Sequence, residues 1–209
     1  MLSLFLVQIL AIVNVAALFG GFILGHVLAR SPRGPARVVA RRNPGRWTEV
    51  LWVVGALVSA FWSFGVLFAP AVAYHWPAVP DFPLSSEIQV AGFLVALSAG
   101  LLFFVAVRAM GAQMTPEIRV QEGHRLVQEG PYRRIRHPLY TAIVAGAGGL
   151  AFLYLSLPLG ILALVLAALA VYRAGLEEDL LRSQEGFGRT YTEYVARTGR
   201  FLPRFRRRE

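Results

Sequence analysis

The chain reads as an all-α integral membrane protein: a five-helix transmembrane bundle, N-terminus out and C-terminus in, with a cytoplasmic C-terminal amphipathic helix. Three observations predict this. Hydrophobic residues make up 56% of the 209 residues, and mean hydropathy is +0.54. They come in long blocks, and about 20 apolar residues suffice to cross a bilayer. All 21 basic residues are arginine, and they fall in three polar stretches between or after those blocks. The length suits a single membrane domain over residues 1–209.

The first block, Leu2 to Ala29, lacks the basic start of a signal peptide and is too long for one. It reads as a first span, with Gly20, Gly21 and Gly25 positioned for close helix contact. Arg30 to Arg46 is a basic, proline-containing loop. The second span runs from about Glu49 to Tyr74, with Trp47, Trp52, Tyr74 and Trp76 as interface anchors. Pro77 to Ser86 is a short loop with Asp81 and no arginine. The third span covers Ile88 to Val107. Residues 1–107 thus hold the first three spans. Residues 108–209 hold a cytoplasmic loop, a helical hairpin and a tail. That hairpin consists of a fourth span, Leu139 to Leu155, and a fifth, Leu159 to Tyr172, joined at Pro158. Ala142, Ala145, Gly146 and Gly149 give the fourth span a small-residue face.

Arginine sets the orientation. If the odd-numbered spans run from outside to inside, every arginine lies on one side, and the loops near Pro77 and Pro158 hold none. Positively charged loops stay in the cytoplasm. In the tail, Phe187, Tyr191 and Tyr194 share one helical face, with Arg189 and Arg197 off it. An amphipathic helix that ends at Gly199 and lies on the bundle or the membrane surface fits this pattern.

Composition also excludes chemistry. With no cysteine, thiolate nucleophiles, disulfides and cysteine-ligated metals are ruled out. His26, His75, His124 and His137 show no metal-like spacing, so no metal site is expected. The positive charge of +9 is topological, and no nucleic-acid partner is expected.

Two polar clusters remain. One runs from His124 to Val127 and on through Gly130 to Tyr140. The other is Arg173, Glu177, Glu178 and Asp179, directly after the fifth span. Carboxylates at a helix C-terminus oppose its partial negative charge, so they call for cationic partners. Arginines of the preceding loop would serve, and so would a cationic small molecule. His137-Pro138 opens the fourth span, where proline is tolerated and backbone N–H groups suit an anion. Because the fourth and fifth spans must be antiparallel, residues 132–140 and 173–178 are expected to be neighbours at the cytoplasmic surface.

The pattern His124-x-Leu126-Val127-x-x-Gly130-Pro131-Tyr132-x-x-x-Arg136-His137-Pro138-x-Tyr140, then Glu177-Glu178, then Phe187-Gly188-x-x-Tyr191-x-x-Tyr194, resembles the isoprenylcysteine carboxyl methyltransferases, which group with the membrane phospholipid methyltransferases. The resemblance spans about residues 110–205. It implies S-adenosylmethionine as cofactor, bound on the cytoplasmic side. It implies cofactor contacts at His124, Arg125, Leu126, Val127, Tyr132, Arg136, His137, Pro138, Leu139, Tyr140 and Glu177, with Glu117 added by a looser alignment. It also implies a substrate contact at Arg173. Where the family has glycine two residues after the motif tyrosine, this chain has Ala142, which puts the width of the pocket in question.

Methyl transfer from a sulfonium is an in-line displacement that needs positioning rather than a nucleophilic side chain. For a carboxylate acceptor, Arg173 offers a bidentate contact. For an amine, a base is required, with Glu178 and His137 as candidates. The expected partners are the bilayer and a lipidic or lipid-anchored acceptor entering between helices. Two other reactions compete: N-methylation of a phospholipid or amine, and reduction by an NADPH-dependent sterol-type reductase, whose motif has asparagine where this chain has Leu139. The arginine-only, cysteine-free composition points to a bacterial inner membrane. The sequence leaves the acceptor, the oligomeric state and the role of spans one and two open.

Overall fold

The computed structural model describes residues 1–29, 37–74, 82–115 and 117–204. The five expected spans are helices α1 (Leu4–Ala29), α2 (Arg46–Phe68), α4 (Ser85–Met110), α5 (Pro138–Leu153) and α6 (Leu157–Arg182). Helices α2, α4 and α6 are each long and apolar enough to cross a membrane. Helix α5 and the apolar stretch Leu4–Ala17 of α1 are shorter. The chain is an integral membrane protein. The loop Pro77–Ser86 as far as Asp81, with Trp76, and the start of the first basic loop lie outside the described residues.

The second expected span is interrupted. Helix α2 stops at Phe68 because Pro70 disfavours helical backbone at Ala69. A four-residue turn, α3 (Pro70–Ala73), follows, and the Trp62 indole N–H donates to the Ala73 carbonyl at 2.8 Å.

Small residues let α4 and α5 touch. A Cβ at Gly92 would stand 2.6 Å from the Leu153 nitrogen, and one at Gly149 would stand 2.6 Å from the Ala96 nitrogen. This is the close approach expected of the small-residue face on α5. Gly20 behaves otherwise, with nothing within 4 Å of its would-be Cβ. The surroundings of Gly21 and Gly25 lie outside what is described.

Gln89 pins one end of the bundle. It is fully buried, donates to the Tyr74 hydroxyl and the Leu153 carbonyl, and accepts from the Leu2 backbone. Away from water such groups must find partners within the protein, so this one amide fixes the ends of α1, α3, α4 and α5 together.

The arginine-bearing stretches meet at the opposite end. Residues expected to form loop pair there as an antiparallel ribbon, β1 (Val38–Arg42) with β2 (Ile118–Gln121). In β2, Ile118 and Val120 point inward and alternate with Arg119 and Gln121. With Ala40 they pack against Leu180 on α6, flanked by Leu176 and Leu181. Helix α6, at about 39 Å by its 1.5 Å rise per residue, exceeds the roughly 30 Å hydrocarbon layer. The excess is about 9 Å, roughly six residues, so the C-terminal end of α6 stands beyond the span, where Leu180 and Leu181 carry the ribbon.

Helix α7 (Gly188–Arg197) follows as expected, with Tyr191 and Tyr194 buried. It lies on the bundle, where the Tyr194 hydroxyl donates to the Tyr132 carbonyl at 2.7 Å. Gly199 ends it and starts a strap along residues 134–137. The Arg136 and His137 N–H groups donate to the carbonyls of Gly199 and Arg200, and the Gly199 N–H donates to Arg134. Only glycine fits there, because a Cβ would stand 1.8 Å from the Leu202 carbonyl oxygen.

Candidate active site

The turn at residues 154–156 is tight. Ser156 caps α6 by accepting from the Leu159 N–H, with Pro158 in the first turn. Helices α5 and α6 therefore run antiparallel, and the start of one meets the end of the other. There the Tyr140 hydroxyl donates to Glu177 at 3.2 Å, and His137 stands 3.2 Å from Glu178 and 3.5 Å from Glu177.

Adjacent residues on a helix point about 100° apart, and the two glutamates separate accordingly. Glu178 turns into protein and is ringed by cations: Arg136 at 2.9 Å, Arg182 at 3.1 Å, Arg200 at 3.3 Å and His137. Glu177 faces a cavity. Four arms of sequence close it: Gln113 and Thr115 with residues 117–119, residues 124–127, the Tyr132–His137 turn, and α7. It is open on one side, and the cavity together with its solvent-filled mouth spans about 680 Å³. Carboxylates Glu117 and Glu177, the Arg119 and Arg125 side chains, and apolar Ile118, Leu126, Leu180 and Phe187 line it. Two buried polar atoms on its wall, His124 Nδ1 and the Tyr191 hydroxyl, have no hydrogen-bond partner among the described residues.

The isoprenylcysteine carboxyl methyltransferase family matches residues 90–183, from α4 to the end of α6. Over that region the chain is similar to this family. Among similar proteins, a probable protein-S-isoprenylcysteine O-methyltransferase of Oryza sativa subsp. indica is 29% identical over 145 residues, 68% of this chain and 73% of the relative. One of the same name in Oryza sativa subsp. japonica gives the same figures. Protein-S-isoprenylcysteine O-methyltransferase B of Arabidopsis thaliana is 28% identical over 142 residues, 66% of each chain.

The structure places the sequence-derived residues unevenly. Glu117, His124, Arg125, Leu126, Val127, Tyr132, Arg136, His137 and Glu177 all line the cavity. Pro138, Leu139 and Tyr140 do not. Pro138 is fully buried at the start of α5. Tyr140 sits behind the wall in a run of rings, stacked on His137 at 5.5 Å and on Trp52 at 5.7 Å. Ala142 is buried and also off the wall, so its methyl does not narrow this cavity.

Arg136 has a second task. Its guanidinium donates to the Thr198 carbonyl at 2.6 Å and to Val195 at 3.4 Å, capping the C-terminus of α7. The Glu178 partners are Arg136 of the preceding loop, Arg182 of its own helix and Arg200 of the tail, with His137, so for Glu178 the misplaced negative charge is resolved within the protein. Arg173 is buried below the cavity, donates to Thr48 at 2.7 Å, and acts on Tyr140 and Glu177. The sequence reading did not assign Gln113, Arg119, Tyr191 or Tyr194 to the cavity. The Ile118/Val120 alternation and the tail aromatics were the available signals.

Both cavity histidines are shifted, in opposite directions. Burial pulls His124 below its ordinary value of 6.5, only partly offset by the charge of Glu177, so it stays neutral at neutral pH. Burial acts in the same direction on His137, but hydrogen bonds and charge from Glu177 and Glu178 outweigh it and raise its pKa. The imidazolium of His137 therefore stabilises the fold fully below about pH 6.5, the unfolded value. That contribution is lost as pH rises through the higher folded-state value. Thermal melts of the wild-type protein should show lower stability as pH is raised across that window. In His137→Gln the pH dependence over that window should be flatter, with a lower melting temperature at pH 6.

Proposed function

We propose that the protein transfers a methyl group from S-adenosylmethionine to the carboxylate of a lipidic, membrane-partitioned acceptor. In this reading the site faces the cytoplasm beneath five spans oriented N-out. The observation that carries it is the cavity itself. It sets Glu177 and Glu117 against two buried polar atoms without a hydrogen-bond partner among the described residues, at the boundary where a cytosolic ligand and a bilayer ligand can meet.

When bound, S-adenosylmethionine supplies a methyl group activated by a positively charged sulfur. Glu177 and Glu117 suit its net positive charge, and His124 Nδ1 and the Tyr191 hydroxyl offer hydrogen-bonding positions. The aliphatic and aromatic wall of Ile118, Leu126, Leu180 and Phe187 excludes water from one side. Arg173 holds the acceptor carboxylate by a charge-assisted contact.

A carboxylate acceptor carries its own nucleophilic electrons and needs no base. An amine acceptor would need one, and neither candidate suits. Glu178 is surrounded by Arg136, Arg182, Arg200 and His137, and His137 is held towards its protonated form. This asymmetry favours O-methylation. Gathering of the arginine-bearing stretches at one end of the bundle supports the N-out orientation. The relatives are named for protein-S-isoprenylcysteine, so an S-prenylated cysteine carboxylate is the acceptor class to test first.

Purified protein in nanodiscs should transfer radiolabelled methyl to N-acetyl-S-farnesylcysteine. The product should release its label as methanol in mild alkali, as an ester does and an N-methyl group does not. Alkali-stable label on a lipid amine would instead establish N-methylation.

A further inference from the structure

The family match begins at residue 90, so α2 and the segment before it lie outside it. Yet α2 reaches the site. Thr48, in its first turn, is fully buried, and its Oγ1 accepts a hydrogen bond from the Arg173 guanidinium at 2.7 Å, 125 residues away in the chain. One turn further on, the Trp52 ring lies nearly parallel to Tyr140, 5.7 Å between centres and 5° between planes.

The geometry around Thr48 fixes which way its hydroxyl points. Oγ1–H donates to the Gly45 carbonyl at 2.9 Å. With its proton committed there, the hydroxyl presents only lone pairs to Arg173, the polarity a guanidinium needs. Gly45 itself takes a positive φ of 88°, and its N–H is held by the Asn43 side chain at 2.9 Å. The bend at 43–45 therefore aims Thr48 at α6.

We infer that Thr48 is a positioning residue for acceptor recognition. It holds the Arg173 guanidinium in the one orientation in which Arg173 meets the acceptor carboxylate. Helix α2 thus takes part in selecting the acceptor from outside the family-matched region. This inference rests on the reading of Arg173 as the acceptor contact. The order of Arg173 is set in advance, so binding need not immobilise a long side chain.

The test measures methyl transfer to N-acetyl-S-farnesylcysteine together with S-adenosylhomocysteine binding, in full-length protein. Thr48→Val keeps the shape and removes the acceptor atom. Its KM for the prenylcysteine should rise about tenfold, the size expected for one hydrogen bond to a charged group, with kcat and S-adenosylhomocysteine affinity nearly unchanged. Thr48→Ser should restore the KM. Thr48→Asp, which keeps Arg173 partnered but adds a competing carboxylate, should raise KM further and covers the case in which the valine variant does not fold. A KM unmoved in Thr48→Asp, or in a folded Thr48→Val, overturns the inference. So does a loss shared equally by S-adenosylhomocysteine binding, or a serine variant that does not recover. If wild-type protein transfers no methyl to this probe, the parent reading falls and takes this one with it. Wild-type transfer with indifferent Thr48 variants removes this inference alone.

Discussion

Arg173→Gln is expected to lower methyl transfer about a hundredfold or more, the usual consequence of truncating a buried, hydrogen-bonded charge that meets an opposite charge. The guanidinium is buried, anchored by Thr48 and coupled to Tyr140 and Glu177, so it is held where an incoming carboxylate needs it. Glutamine retains hydrogen-bonding capacity and removes the charge, which separates attraction for the carboxylate from mere space filling. Lysine should recover little, because a point charge cannot reproduce a planar two-pronged contact. S-adenosylhomocysteine should still bind, since Arg173 is not on the cavity wall. A variant with intact transfer and acceptor KM would remove Arg173 from acceptor recognition.

Glu178→Gln is expected to act on stability instead. Its carboxylate is almost fully buried and meets Arg136, Arg182, Arg200 and His137. Removing the charge leaves the largely covered Arg136 without its carboxylate and His137 with Glu177 alone. Breaking one side of a buried ion pair costs about 3–5 kcal/mol. The strap at residues 198–201 should loosen with it, because Arg136 and Arg200 bind both Glu178 and that segment. Thermal melts and proteolysis of the tail would record this. The protein that remains folded should transfer methyl at close to the wild-type rate per folded molecule. A variant of unchanged melting temperature but greatly reduced kcat would restore Glu178 to the role of a base.

The sequence showed the cavity more clearly than the scaffold around it. Small residues on α5 and the proline turn at 158 predicted an antiparallel hairpin, and from that hairpin the meeting of Tyr140 with Glu177 followed. What a helical period conveys well is which residues share a face. It does not say how deep a face is buried, and Pro138, Leu139 and Tyr140, which the resemblance implied as cofactor contacts, stand off the cavity wall. Nor does a single carboxylate reveal its partners: Glu177 and Glu178 are neighbours in sequence, and only the fold shows one facing a cavity and the other enclosed by arginines. The ribbon of Val38–Arg42 with Ile118–Gln121 was missed because each strand is short, rich in arginine and paired with a segment some 80 positions distant. Such non-local pairing leaves only a weak alternation in either strand. Thr48 gave no signal at all. A threonine in a first helical turn is ordinary, and its partner lies on the last long helix.

The most direct test is isothermal titration of the purified protein with S-adenosylhomocysteine and with NADPH. Saturable binding of S-adenosylhomocysteine at one site per chain, abolished or greatly weakened in a folded Glu177→Ala variant, together with no binding of NADPH, is the expected outcome. Binding of NADPH in its place, or S-adenosylhomocysteine binding indifferent to Glu177, would contradict a sulfonium site between the cytoplasmic ends of α5 and α6.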